Sequence, residues 1–263
     1  MIRSHFGLDR NPFLVDNPAL LPHQQEIFDT LRVHCQQGGL CVVIGEPGTG
    51  KSVIKQALVN HDPKRLITPV VNRTLHTYHN VLRILCDAFQ IDAEGRSARC
   101  EKRLIEEARR INHAGKMLAP IIDDAHLIHV EDLRRLRLLF EDFPKNHNLV
   151  LVAQPGLISS LALTPNHDIH SRVTYSVLVP RLAADDIERF VYRELDAVAL
   201  PHTTFSPDAF GLIVRSSEGF LRRARNLCVG ALLEAVRDRV RTVELKQVNR
   251  VLLQPHWRDR EAS

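Results

Sequence analysis

Apolar residues come in two kinds of run that alternate through the first two-thirds of this chain. Five runs are short and nearly continuous: Leu40-Cys41-Val42-Val43-Ile44, Leu66-Ile67-Thr68-Pro69-Val70-Val71, Met117-Leu118-Ala119-Pro120-Ile121-Ile122, Leu149-Val150-Leu151-Val152-Ala153 and Ser176-Val177-Leu178-Val179. Such runs, without polar alternation, predict strands buried on both faces. Between them apolar positions recur every three or four residues. Ile27, Leu31 and Cys35 do so over 23–35, Val81, Leu82, Leu85, Ala88 and Phe89 over 78–89, and Leu133, Leu136, Leu139 and Phe140 over 130–140. Residues 52–59 and 96–114 also read as helices, the latter with interleaved charges that fit a solvated face. Alternating strands and helices predict an α/β fold, a doubly wound and mostly parallel sheet. Pro120 costs a central strand one ladder hydrogen bond, so that strand is expected to begin near it.

After Pro180 the periodicity changes. Segments 184–195, 207–215, 220–237 and 245–253 are all helical in spacing, with no strand among them, and Ser206-Pro207-Asp208 fits a helix start with serine as cap and proline first. The predicted organisation is an α/β core over 1–182 and a small all-helical domain over 183–263. The opening Phe6-Gly7-Leu8-Asp9-Arg10-Asn11-Pro12-Phe13 reads as an aromatic-bearing arm docked on the body and is counted with the core. Trp257 is a docking point in an otherwise frayed tail.

One loop carries chemistry. Gly45-Glu46-Pro47-Gly48-Thr49-Gly50-Lys51-Ser52 is G-x-x-x-x-G-K-S, and it joins the first buried run to a helix. A strand–loop–helix of this composition cradles phosphates. Its glycines let backbone N–H groups turn inward on the anion, and the helix N-terminus adds partial positive charge. Lys51 would bridge the β- and γ-phosphates, and Ser52 would offer its hydroxyl to Mg²⁺. The third run ends in Asp123-Asp124 and the fourth in Gln154. Ligands of such sheets sit beyond the carboxyl ends of the strands, so the three segments are expected to share one crevice.

Composition narrows the class without naming a client. The 263 residues are 44% hydrophobic and carry a formal charge of +4, which permits nucleic-acid binding without requiring it. Mean hydropathy is −0.15. No window approaches a membrane span, and the N-terminus has no apolar leader core, so a cytoplasmic protein is expected. Five scattered cysteines form no C-x-x-C; Cys41 and Cys86 read as small buried hydrophobes. The His76/His79 and His126/His129 pairs lack a completing acid or thiol cluster, which favours structural or surface roles.

With these residues in place the chain resembles an AAA+ ATPase, a P-loop NTPase with an αβα core and a helical lid. More narrowly it resembles the ExeA/TniB/TnsC-like group of bacterial transposition proteins and related secretion ATPases. The resemblance rests on the opening arm, residues 45–52, Ile121-Ile122-Asp123-Asp124-Ala125-His126, Leu151-Val152-Ala153-Gln154-Pro155-Gly156-Leu157, Arg172 and Gly219 to Arg222. It implies ATP and Mg²⁺ as cofactors, with Ser52 and Asp123 at the metal. Asp124 stands where the group usually has a water-polarising glutamate. It is one methylene shorter, which implies slow hydrolysis. Gln154 resembles sensor 1. Arg172 resembles an arginine finger reaching a neighbour's γ-phosphate. Arg222 resembles sensor 2, with Arg223 and Arg225 beside it. Phe13, Pro22 and His23 are candidates to hold adenine.

The same resemblance implies a homo-oligomer, ring or filament, assembling on double-stranded DNA and recruiting or activating a transposase. Phosphate contacts would come from Arg73, Thr74 and His76 and from Arg134, Arg135 and Arg137. Two alternatives stay open: an ExeA-type secretion ATPase without its membrane span, and a nucleotide-gated scaffold that barely hydrolyses.

Overall fold

The computed structural model describes residues 1–13, 19–72, 77–92 and 97–257. By the density of its internal contacts the chain divides into two compact units, Pro22–Pro47 with Lys51–Val179, and Met1–Leu21 with Gly48–Gly50 and Pro180–Ser263.

The first unit is α/β. In chain order it contains α-helices and strands that alternate as the hydrophobic runs predict. Helix α2 (Pro22–Gln37) precedes β1 (Gly39–Ile44), and α3 (Lys51–His61) follows the glycine-rich loop; α1 (Ile2–Phe6) lies in the other unit. Next come β2 (Leu66–Ile67), β3 (Val70–Val71), α4 (Tyr78–Ala88), α5 (Ser97–His113), β4 (Met117–Leu118) and β5 (Ile121–Ile122). The unit ends with α6 (Val130–Glu141), β6 (Asn148–Ala153), α7 (Gly156–Leu161), α8 (His167–His170) and β7 (Val173–Leu178).

Five strands form one parallel sheet in the order β3-β5-β6-β1-β7. The central strands β1 and β6 are buried almost end to end, which explains why they read as unbroken apolar runs. Val42 and Leu151 face each other in register, and both are fully buried. Truncating such a side chain to alanine costs about 2–5 kcal/mol. A buried core of helix and sheet residues including Val81, Leu82, Leu104, Leu133 and Leu136 fixes the flanking helices on the sheet.

Prolines cut two predicted strands in two. The 66–71 run becomes β2 and β3, separated at Thr68-Pro69, and the 117–122 run becomes β4 and β5, separated at Ala119-Pro120. The interruptions fall opposite one another: β2 pairs with β4 and β3 with β5 in one register. The strand of the five-stranded sheet begins beside Pro120, as expected, at Ile121, while Met117 and Leu118 pair with Leu66 and Ile67 in a separate two-stranded sheet. Pro120 still contributes its carbonyl, which accepts from Val150 N at 2.9 Å. The final strand spans Val173–Leu178 rather than starting at Ser176, and it pairs along β1 with a register shift at Leu40/Cys41.

A tight corner starts β1. Gly38 adopts φ +82°, and a Cβ there would land on the Lys145 carbonyl, so only glycine fits.

The second unit is helical: α9 (Ala184–Asp196), α10 (Pro207–Ser216), α11 (Leu221–Asp238) and α12 (Leu245–Leu252). As expected, Ser206 caps α10, its hydroxyl accepting from Ala209 N at 3.3 Å, with Pro207 in the first position. Ile187, Val191, Leu195, Ile213, Leu227, Leu232 and Val248 form its core, and Trp257 packs against that core. The opening arm, counted with the α/β core in the sequence reading, makes its contacts here. The Phe13 ring lies 6.2 Å from that of Phe190, and His5 Nε2 is 2.8 Å from the Val240 carbonyl.

All five cysteines are buried and in no disulfide: Cys35, Cys41, Cys86 and Cys100 in the α/β unit, Cys228 in the helical one. Burial pushes the Cys86 thiol up to about 12.

Candidate functional site

The carboxyl ends of β1, β6 and β5 lie side by side. Val42, Leu151 and Ile122 are aligned across three adjacent strands. The residues that follow each strand therefore emerge on one edge: Gly45 after β1, Gln154 after β6 and Asp123 after β5. Gly45 N donates to the Ala153 carbonyl at 3.2 Å, tying the start of the loop to the end of the neighbouring strand.

Lys51 opens α3 and turns back over the loop. Its ammonium donates to the Gly45 carbonyl at 2.6 Å and the Glu46 carbonyl at 2.9 Å. Ser52, one residue on, is exposed. One turn further along α3, Lys55 donates to Asp123 Oδ2 at 2.5 Å and to Asn72 Oδ1 at 3.2 Å. That pair fastens β5 to α3, and it brings the Asp123 carboxylate to the helix that begins with Lys51 and Ser52. Gly45, Glu46, Pro47, Lys51, Ser52, Asp123 and Gln154 all belong to the α/β unit and follow the carboxyl ends of β1, β5 and β6.

Asp123 and Asp124 are not equivalent. Asp123 is half-buried and its Oδ1 accepts from Asp124 N at 3.0 Å. Asp124 is exposed and sits in the left-handed region, at φ 52° and ψ 36°. An L-residue there carries roughly 1 kcal/mol of strain, less for aspartate than for most residues.

His126 joins this edge, although the sequence reading gave it no role at the site. Its Nδ1 accepts from Gln154 N at 3.4 Å. It therefore links the turn after β5 to the end of β6. The signal was there, two residues beyond Asp124, but an i+2 position on a turn has no periodicity to mark its direction.

Ser52 and Asp123 are hard oxygen donors, the kind Mg²⁺ takes alongside water and phosphate oxygens. The exposed hydroxyl at the start of α3 and the carboxylate fastened to the same helix fit that ion.

Arg172 stands elsewhere. It precedes β7, at the amino end of the sheet; its side chain is 62% exposed, and its guanidinium is 3.2 Å from Glu141 Oε1. A pocket of about 260 Å³ lies beside it, lined by Leu40, Arg137, Phe140, Glu141, Phe143 and Thr174 among others. Two of the three arginines of α6 are committed to carboxylates. Arg134 donates to Asp168 at 2.9 Å and to Glu131 at 2.6 Å, and Arg137 donates to Glu141 at 2.7 Å. The Arg134 hydrogen bond holds the Asp168 carboxyl below its usual range. Arg135 is exposed, 6.0 Å over the Tyr78 ring. The other nominated contacts, Arg73, Thr74 and His76, lie outside the described residues.

In the helical unit, Gly48, Thr49 and Gly50 group with the C-terminal helices. Arg222 N donates to the Gly48 carbonyl at 3.3 Å. Arg223 is engaged by Glu218 at 2.6 Å and by the Trp257 ring at 5.6 Å, while Arg222 and Arg225 are exposed. Of the adenine candidates, Phe13 is buried in the helical unit, and Pro22 and His23 open α2 of the α/β unit.

A parallel sheet of this strand order, a glycine-rich loop running into a helix and acids on the next strand but one define a P-loop NTPase of AAA+ architecture. Residues 33–161 match a family model described as an AAA domain, so the chain carries an AAA+ ATPase-like domain. General secretion pathway protein A of Aeromonas hydrophila is 29% identical over 246 residues, covering 89% of this chain and 45% of that protein. The chain thus spans less than half the length of this relative. Among solved structures, the Aeropyrum pernix ORC2 protein in ADPNP-ADP complexes aligns with a TM-score of 0.71 at 16% identity, over 96% of this chain and 71% of that one. The Aeropyrum pernix ORC1 protein in complex with DNA aligns at 0.70 and 18%, over 90% and 66%. At these identities the two structures establish the fold. Among the described residues no helix is long and apolar enough to cross a membrane.

Proposed function

We propose that this chain binds ATP with Mg²⁺ and hydrolyses it slowly, in assemblies whose sites are completed by a neighbouring subunit. The observation that carries this reading is the convergence of Lys51, Ser52, Asp123 and Gln154 at one end of the sheet with Arg172 at the other. Residues 45–52 cradle the phosphates, Lys51 neutralises the β- and γ-phosphates, and Ser52 and Asp123 hold the metal. Mg²⁺ supplies charge neutralisation at the phosphoryl group when bound. Asp124 polarises the attacking water and Gln154 orients it. Arg172 lends its charge to the next subunit, and Arg222 serves as sensor 2, a choice favoured because Arg223 is already engaged.

For the client, the secretion relative favours an ExeA-type role for this domain. The second reading, assembly on double-stranded DNA and control of a transposase, rests on the sequence motifs. It is weakened at Arg134 and Arg137, whose charges are already balanced by Glu131, Asp168 and Glu141. Phosphate release measured with and without duplex DNA decides between them: stimulation by DNA supports the second reading, and indifference to DNA supports the first. A protein that binds ATP but releases no phosphate even when assembled is a nucleotide-gated scaffold. Failure of Lys51→Ala to weaken ATP binding would refute the phosphate-loop assignment altogether.

A further inference from the structure

Lys55 is not part of the phosphate-loop motif, yet it makes a short polar contact with Asp123. Its ammonium lies 2.5 Å from Asp123 Oδ2, with only 13% of the lysine side chain and 21% of the aspartate side chain exposed. Asn72 Oδ1 takes a second donor position at 3.2 Å, and Asp123 Oδ1 is held by the Asp124 backbone N–H at 3.0 Å. Both carboxylate oxygens are therefore engaged by the protein itself. The lysine comes from the helix that starts with Lys51, one turn on, so no loop movement is needed to bring the two cations to the same edge.

We infer that Lys55 is a built-in counter-ion for Asp123, which lowers the dependence of nucleotide binding on Mg²⁺. This inference rests on the nucleotide-binding reading above. An ionised carboxylate beside a triphosphate repels it unless a cation stands between them. A metal ion usually fills that place. Here the ammonium is already on the carboxylate, and partial burial keeps solvent from screening the pair. Metal-free ATP then meets a neutralised acid rather than a bare one. When the metal arrives it must share that carboxylate with Lys55, so it adds less than it would to an unpaired acid. Nucleotide and metal are thereby less strongly coupled.

The test is a binding cycle with a fluorescent ATP analogue, titrated once in excess Mg²⁺ and once in EDTA. The ratio of the two dissociation constants measures the coupling. Lys55→Met should raise that ratio by about tenfold, mainly by weakening binding in EDTA, as expected for loss of one charge-assisted hydrogen bond. Lys55→Arg, which keeps the charge, should stay within about twofold of wild type. In the double variant Lys55→Met/Asp123→Asn the metal-free affinity should return towards wild type, since no bare carboxylate remains. A Lys55→Met ratio equal to wild type, or a double variant as weak in EDTA as Lys55→Met, overturns the inference. If Lys55→Met does not fold, Lys55→Gln run through the same cycle decides. Wild-type protein that binds no analogue even in Mg²⁺ overturns the nucleotide-binding reading, and this inference with it; normal wild-type binding with an unchanged Lys55→Met ratio overturns the inference alone.

Discussion

Arg172 and the phosphate loop stand at opposite ends of the same strands. Val173 pairs with Leu40 and Leu178 with Ile44 in parallel, so Arg172 is level with Gly39. From there to Gly45 is about 20 Å at the usual strand rise. An extended arginine side chain spans about 7 Å, which leaves the guanidinium far short of its own subunit's loop. If Arg172 acts on phosphate it does so in a neighbour. Arg172→Ala should keep nucleotide affinity and lose turnover by roughly 10³-fold, the lower range for such fingers. Lys51→Ala should lose turnover through the opposite defect. Mixed one to one, the two dead variants should regain activity wherever an Arg172→Ala loop meets a Lys51→Ala arginine. With random neighbours that is half of one half, or about one quarter of wild-type turnover per subunit. Phosphate release at constant total protein, plotted against mixing ratio, should rise from near zero at both ends to a maximum at equal amounts. Light scattering on the same samples establishes that mixed assemblies form. A flat line through the mixing series with mixed assemblies present would refute the trans assignment, as would wild-type turnover from assembled Arg172→Ala alone.

Other outcomes follow from single residues. Asp124→Asn keeps a side chain that tolerates the left-handed backbone, so nucleotide binding and Tm should hold while turnover falls by about 10²-fold or more; equal turnover would remove Asp124 from the chemistry. Gly38→Ala drives a methyl into the Lys145 carbonyl at positive φ, which should cost about 3 kcal/mol and lower Tm by roughly 6–12 °C in a thermal melt; an unchanged Tm would mean the corner relaxes freely. His147 is buried with its Nε2 on the Ala108 carbonyl at 3.1 Å. Burial lowers its pKa from 6.5, outweighing that hydrogen bond. The unfolded chain therefore takes up a proton first as pH falls below 6.5, and the stability that the neutral ring allows is lost on that side. Urea midpoints of wild type should fall more steeply from pH 7.5 to 5 than those of His147→Gln, and parallel slopes would count against the assignment.

Much of the α/β unit could be read before any coordinates because its strands are buried on both faces. Leu40 to Ile44 and Asn148 to Ala153 have no polar alternation to confuse a strand with a surface helix. The loop at 45–52 was equally plain, since its residue types are dictated by an anion. Pro120 read as a local defect in its own strand, and nothing along the chain tied it to Pro69. Only pairing shows that they are opposite one another, and pairing is a long-range property. Residues 1–13 carried no periodicity, so nothing in the order of residues said which body they join. The arginines of α6 looked available for phosphate because charge is visible in a sequence while its partners are not. Asp168 lies more than thirty residues from Arg134 along the chain but 2.9 Å away in space. Lys55 was hidden for the same reason: its spacing from Lys51 is visible along the chain, and its partner Asp123 is not.

The burial of every thiol gives the protein a set of internal clocks. While the fold is closed, neither an alkylating reagent nor an oxidant can reach sulfur, and modification has to wait for an opening event. Cys228 lies alone among the C-terminal helices, and the other four lie in the sheet-bearing unit. Mass spectrometry of pulse-labelled protein would therefore time the breathing of each body separately from one sample, with no engineered reporter.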